Sequence, residues 1–349
     1  MSSLTHINPL TDPRWLQLVQ CHTSTAFHAP AWLAVLADTY GFAPQAALLV
    51  DDDGTPRAGL PYVHVSDIFG ARCVTLPFSD FCDPLLQTEA EWQALIQPLL
   101  ECGAPVVLRP LHNQVPLSDP RFTLTKKAHW HRIDVKPDLE AIWKRNDEAT
   151  HRAIKKAQRD GVSVSVRQDK AAIRAYFEMH LGIRKHKYGM LAQPWPFFEA
   201  IFKHWFEPGQ GAVLVASHQD QVVAGTLVLR WKDTLYYKFN ASARDQLGAR
   251  PNDLIMWELI GYAKQLGCDW VDLGLSDWGQ EGLLRFKGKY ATEEGVISFL
   301  KHIPQTFAPN AGEAQLRGLL GTLTTLLIDP GVPDTVTESA GNSLYQFFV

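Results

Sequence analysis

Nowhere in its 349 residues does the chain hold the roughly eighteen consecutive apolar residues that a membrane-spanning helix needs. Its opening stretch lacks a basic start followed by an apolar run and a small-residue cleavage site, so a secretory leader is not expected and a cytoplasmic place is. Cysteine is sparse. The five present, Cys21, Cys73, Cys82, Cys102 and Cys268, are odd in number, scattered, and include no C-x-x-C pair. Neither a disulfide framework nor a zinc cluster is expected from that spacing, no metal ligands are assigned, and a reducing compartment fits. No internal repeat is visible. Neither sign of charge dominates, with 33 Lys+Arg against 37 Asp+Glu, and no DNA partner is expected.

What is present is the balance of a globular protein: 46% hydrophobic and 20% charged residues, enough to bury a large core in one or two domains. Charge is unevenly placed. Residues 1–125 carry 5 Lys+Arg against 12 Asp+Glu, whereas residues 141–190 carry 12 against 5. An acidic front followed by a basic block points to an anionic ligand near the middle of the chain. A helix face with its charges in water is the competing reading.

Periodicity predicts helices over 13–19, 30–40 and 88–102, and strands over 46–50, 57–65, 73–76 and 106–108, with Asp51-Asp52-Asp53-Gly54 as a hairpin turn. Further on it predicts helices over 138–160, 170–186, 197–206 and 253–266. Strands are expected over 162–166, 212–217, 221–231, 234–240 and 270–273. The two halves share an order of elements, which suggests two copies of one α/β fold. The expected division is 1–137 and 138–349, with the tail from about 330 packing back on the first.

Several short segments have residue types suited to chemistry. Arg152, Lys155, Lys156 and Arg159 fall on one face of a helix and suit a phosphate. Arg184 and Tyr188, four apart, share a face if their helix persists, and an arginine fork suits phosphate or carboxylate. In Tyr236-Tyr237-Lys238-Phe239-Asn240, strand alternation puts Tyr236, Lys238 and Asn240 on one face and Tyr237 and Phe239 on the other. Tyr236 or Tyr237 could position a carbonyl or protonate a leaving group. In the loop-like segment Gly282–Tyr290, Arg285, Lys287 and Lys289 surround Phe286, and Lys287 suits a phosphate or a developing oxyanion.

The segments HRAIKKAQRDGVSV, ARPNDLIMWELIGYAKQLGCDWVDLG and GLLRFKGKY resemble signatures of the FemAB-like branch of the GNAT acyltransferase superfamily. FHAPAWLAVLADTYG, LPFSDFCDPLL and the tail VPDTVTESAGNSLYQFF are similar to that family's opening helix, its S-D-Y-x-x-P segment and its closing helix. The resemblance implies an α/β protein of two tandem GNAT-like domains. Each would be a mixed, mostly antiparallel sheet flanked by helices, with a cleft between the two. In the second domain two parallel strands, within 234–240 and 270–273, would splay apart and receive the acyl donor. Phe286 and Lys287 match the family's F-K motif, Arg184 and Tyr188 an R-x-x-x-Y pair on substrate phosphate, Tyr236 or Tyr237 a strand tyrosine at the reacting carbonyl, and Asp80 the acidic residue of S-D-Y. Gly248, Arg250 and Asn252 occupy the donor loop before a helix, with Asp245 and Arg250 standing at flanking motif positions. The chain departs from the family in having Cys82-Asp83 where glycines are common, and in lacking a long charged hairpin found in some tRNA-using members.

The expected function is transfer of an aminoacyl or acyl group from an activated ester or thioester to an amine on an anionic, phosphate-bearing or glycan precursor of the cell envelope. The acyl donor is aminoacyl-tRNA or acyl-CoA, with no tightly bound cofactor. The alternatives are an acyl-CoA-dependent N-acetyltransferase of a sugar amine, and a non-catalytic precursor- or carbohydrate-binding protein on the same fold.

Overall fold

The computed structural model describes residues 2–308 and 310–349, with the side chains of residues 244 and 245 outside the description. In chain order the elements begin β1 (Ser3–Ile7), α1 (Pro13–Cys21), α2 (Pro30–Tyr40), β2 (Pro44–Val50), β3 (Pro56–Asp67), β4 (Gly70–Val74), α3 (Glu89–Glu101), β5 (Val106–Leu108) and β6 (Thr123–Asp134). They continue with α4 (Leu139–Arg145), α5 (Glu148–Arg159), β7 (Ser163–Arg167), α6 (Lys170–His186), α7 (Trp195–Ile201), β8 (Gly211–His218), β9 (Gln221–Trp231), β10 (Thr234–Ser242), α8 (Pro251–Gln265) and β11 (Trp270–Ser276). The last are α9 (Glu281–Gly288), β12 (Glu293–His302), α10 (Glu313–Leu327) and α11 (Asp334–Leu344). No helix among the described residues is long and apolar enough to cross a membrane.

Two compact units result: residues 1–129 with 295–323 and 346–349, and residues 130–294 with 324–345. The division expected at 137/138 therefore falls instead inside strand β6, and β12 returns the chain to the first unit. Both strands lie in stretches for which periodicity predicted nothing. The tail differs too: α11 packs on α6 within the second unit, held by Lys185 to Asp334 at 2.8 Å and Arg174 to Glu338 at 3.3 Å. Buried Lys185, in a basic helix end, supplies the cation that draws the tail there.

In the first unit β1 to β4 form an antiparallel run, β5 joins β4 in parallel through α3, and β12 pairs antiparallel with β5. The α3 helix begins at Thr88, whose hydroxyl accepts from Glu91 N while the Glu91 carboxylate accepts from Thr88 N, a reciprocal cap. Trp92, Leu95, Ile96 and Leu99 then bury against Ala47, Leu60 and Val106 of the sheet. The second unit repeats this plan. Strands β7 to β10 are antiparallel, and β11 joins β10 in parallel through α8. That recurrence is the structural counterpart of the shared element order.

The expected single helix over 138–160 is two helices. Asn146 is extended at ψ 147°, and the Asp147 carboxylate accepts from Thr150 N at 2.7 Å, so a new cap interrupts the periodic run. On one face of this unit's strands, α5 and α8 bury Ile154, Ala157, Ile255 and Leu259 against Leu214, Val228 and Leu235. On the other, α6 and α7 enclose an aromatic cluster in which Phe239 meets His180, Phe197 and Phe198.

His180 is wholly enclosed there, with Nε2 at 2.8 Å from Gln193 Oε1. Burial holds its pKa down to about 3, the Gln193 hydrogen bond opposes that, and nearby Arg184 adds to the lowering. An exposed imidazole titrates near pH 6.5, so below that the unfolded chain takes up a proton that the folded chain refuses. This contribution to stability is whole above pH 6.5 and is lost as pH falls toward 3, at up to about 1.4 kcal/mol per pH unit. Thermal melts from about pH 7 to about pH 5 are expected to show a steeper loss for the native chain than for His180→Phe. Equal slopes would remove His180 from the account.

Candidate active site

The parallel pairing of β10 with β11 is short. It registers Thr234, Leu235 and Tyr236 with Trp270, Val271 and Asp272, and the strands are unpaired with each other beyond that. The expected splayed pair is thus present. Past Tyr236, β10 carries a bulge: Tyr237 is opposite Val228 on β9, and Phe239 is opposite Leu227, leaving Lys238 as the extra residue. An extra residue reverses the alternation of every side chain that follows. Simple alternation would group Tyr237 with Phe239 and Tyr236 with Asn240. The bulge instead places Tyr237 with Asn240 on the α8 face, and Tyr236 with Phe239 on the α6 face.

Tyr237 and Asn240 accordingly line one cavity of about 610 Å³, together with Lys187, Tyr188, Ser242, Asn252, Glu281 and Phe286. Its wall on the β10 side is held by side-chain amides. Asn240 Nδ2 donates to Thr226 Oγ1 at 2.9 Å and to Asn252 Oδ1 at 3.3 Å, and Asn252 Nδ2 donates to Ser242 Oγ at 3.2 Å. Tyr237 is 8% exposed. Burial raises its phenol pKa, with a smaller opposing effect of a hydrogen bond with Thr226 and a raising one from Tyr188. At neutral pH this group is a proton donor.

A second cavity of about 270 Å³ shares Leu247, Asn252, Gly282 and Phe286 with the first. Arg250, Arg285 and Lys289 line it, beside the first turn of α8. Arg250 holds a left-handed φ of 61° at the helix cap, an uncommon conformation for a side-chain-bearing residue. Asp253 in that turn is buried and accepts from Lys289 Nζ at 2.7 Å and Tyr290 Oη at 2.9 Å. Asp253 itself lines the smaller cavity, where Lys289 matches its charge.

Other sequence candidates lie elsewhere. Lys287 is not on a loop: α9 spans Glu281–Gly288, and Lys287 is 3% exposed. Its Nζ donates to Gly274 O at 3.2 Å and Leu275 O at 2.9 Å, carbonyls of β11 beyond its last partner on β10. The lysine is thus tied to the backbone of β11 past the end of its pairing with β10, and it lines neither cavity. Arg184 and Tyr188 do not share a helix face, because α6 ends at His186 and Tyr188 N turns back to Ile183 O. Arg184 Nε donates to Leu191 O at 3.2 Å, and Tyr188 alone reaches the cavity. On α5, Lys156 pairs with Asp160, Lys155 lies 5.9 Å over the Trp143 ring, and Arg152 is exposed; none lines a cavity described here. Gly248 sits exposed in the turn before α8 and lines neither cavity, and the Asp245 side chain lies outside the described residues.

Asp80 belongs to the first unit, where half-buried Arg109 feels its charge and donates to Ser79 O at 2.9 Å. Just upstream Leu76 and Phe78 hold φ of 53° and 59°, two bulky residues in the left-handed region. Sequence reasoning missed Lys187, Ser242 and Glu281 of the larger cavity, and gave Asn240 no role. The available signal was the polar run Asn240-Ala241-Ser242 closing an otherwise apolar strand.

A family model described as an acetyltransferase (GNAT) domain matches residues 144–288. That span holds every residue lining the larger cavity and all those lining the smaller one except Lys289. Residues 144–288 are similar to GNAT acetyltransferase domains. The whole chain is similar in fold to the crystal structure of FemX, with a TM-score of 0.64 at 13% identity over 91% of this chain and 99% of that one. L-PGS from Bacillus licheniformis gives a TM-score of 0.55 at 13% identity, covering 90% and 96%. A tandem GNAT protein from the clavulanic acid biosynthesis pathway gives 0.52 at 10% identity, covering 86% and 98%. No curated protein matches by sequence. The resemblance to the FemAB-like branch therefore stands on a GNAT domain in the second unit and on a fold shared along the chain.

Proposed function

We propose that the GNAT domain transfers an aminoacyl or acyl group from an activated ester or thioester to an amine on an anionic cell-envelope precursor or polysaccharide. The observation that carries this reading is the bulge at Lys238, which brings a protonated phenol and an ordered amide chain into one cavity beside the end of β10 that no longer pairs with β11. The amine nitrogen attacks the donor carbonyl, the carbonyl pair moves to oxygen, and the tetrahedral centre collapses with loss of the C–O or C–S bond. Tyr237 gives the leaving oxygen or sulfur its proton. Glu281, the one carboxylate among the cavity's described lining residues, receives the proton the amine sheds. Holding both reactants in one pocket supplies much of the acceleration, on the order of 7–11 kcal/mol for near-attack geometry.

Lys287 acts in this scheme by holding the splayed end of β11, and backbone N–H groups at the splay stabilise the oxyanion. The donor's phosphates belong in the smaller cavity, against Arg250, Arg285 and the first turn of α8. That cluster of cations also favours a second reading, in which acyl-CoA is the donor and a sugar amine the acceptor.

Incubation with acetyl-CoA or with aminoacyl-tRNA, each with amine acceptors, and mass spectrometry of the products tests the proposal. Acyl transfer to an amine from either donor supports it, and the productive donor chooses between the readings. Consumption of neither leaves the binding-only alternative. Arg250→Ala and Arg285→Ala are each expected to weaken the productive donor about tenfold in calorimetric titration, with a flatter dependence on salt. Unchanged affinity in both would reject the phosphate placement.

A further inference from the structure

The first unit gathers three residues that the function above does not use. His64 and Cys73 are directly opposite each other on β3 and β4, so their side chains share one face of the sheet. Cys102 caps the end of α3, immediately before Gly103, whose φ of 74° turns the chain toward β5. Sequence separations of 9 and 29 residues hide this convergence, which is why no ligand set was expected from cysteine spacing. Cys73 Sγ lies 3.1 Å from His64 Nδ1 and 3.3 Å from Cys102 Sγ, and all three groups offer a ligand atom within 4.8 Å of the others.

We propose that His64, Cys73 and Cys102 bind a thiophilic divalent cation of the zinc type, with solvent as the fourth ligand. Two sulfurs and an imidazole nitrogen are the donor set such an ion prefers over magnesium or calcium. Around tetrahedral zinc, ligand atoms sit about 3.5–3.8 Å apart, so the observed spacings need to open by only a few tenths of an ångström. Side-chain rotation supplies that. Cys73 is buried while His64 and Cys102 are exposed, which leaves an entry path and an open position on the solvent side. The imidazole is oriented by packing: the Tyr62 ring meets it edge-on at 5.2 Å, and the Tyr62 hydroxyl is in turn 3.0 Å from His6 Nδ1. A simple thiol pair poised for a disulfide would need no such histidine. Bound metal would tie the end of α3 to the β3–β4 hairpin, in the unit that does not hold the GNAT cavities.

Cobalt(II) titration of the full, reduced chain tests this. One equivalent is expected to produce thiolate-to-metal charge transfer in the near ultraviolet with the visible bands of a tetrahedral site, and zinc should bleach both. Cys102→Ser and His64→Ala, both at exposed positions, are expected to bind at least about tenfold more weakly, while Cys21→Ser binds as the native chain does. Absence of these bands in protein with five titratable thiols would overturn the proposal, as would undiminished bands in both variants. A chain isolated with Cys73 and Cys102 oxidised to a disulfide, and silent toward cobalt after reduction, would overturn it too.

Discussion

Replacing Tyr237 by phenylalanine is expected to lower kcat by about two to four orders of magnitude while leaving the KM for the donor nearly unchanged. The phenol is buried, keeps its proton well into the alkaline range, and lies beside Asn240 in the larger cavity. Removing only its oxygen leaves the ring's packing against Leu254 and Leu235 in place, so the melting temperature should hardly move. Tyr236→Phe is the control. Register turns Tyr236 to the opposite face of the sheet, and its loss should leave the rate close to native. Because burial pushes the Tyr237 pKa upward, the rate should show no loss from phenol ionisation through the mildly alkaline range. A Tyr237→Phe chain retaining half the native kcat would sink the acid role.

Lys287→Met is expected to act first on stability. It removes the donor to Gly274 O and Leu275 O in a place that water does not reach. Losing the buried hydrogen bonds of a charged group costs about 1–3 kcal/mol, which lowers the melting temperature by several degrees. Activity falls with it, since the end of β11 then lacks what holds it apart from β10. A lysine contacting the reacting oxygen would behave in the reverse way, losing rate at an unchanged melting temperature. Melting curve and kcat measured on the same preparation separate the two roles.

The fold was widely legible along the chain. Apolar periodicity marked α2, α3, α6 and α8 closely, and apolar runs marked β8 to β11, because each of these elements buries apolar side chains. Three strands escaped notice: the short β1, and the longer β6 and β12. β6 and β12 carry charged residues along exposed stretches, such as Lys126-Lys127 and Glu293-Glu294, and so lack the pattern by which strands are recognised. The break between α4 and α5 was missed for a different reason. Asp147 is equally acceptable as a helix residue and as a cap, and only its bond to Thr150 N distinguishes them.

Residue types and order were enough to place a GNAT-like α/β plan here, and to mark the F-K and strand-tyrosine segments as worth attention, since those follow from local spacing. Which tyrosine enters the cavity, where the Lys287 ammonium spends its donors, and that His64 meets two cysteines could not be read that way. Each depends on a register: one extra residue at Lys238, a short parallel pairing that ends at Tyr236, and a cross-strand partnership between β3 and β4. Register is set by the packing of whole strands against one another. A linear string of residues carries no record of it until the chain has folded.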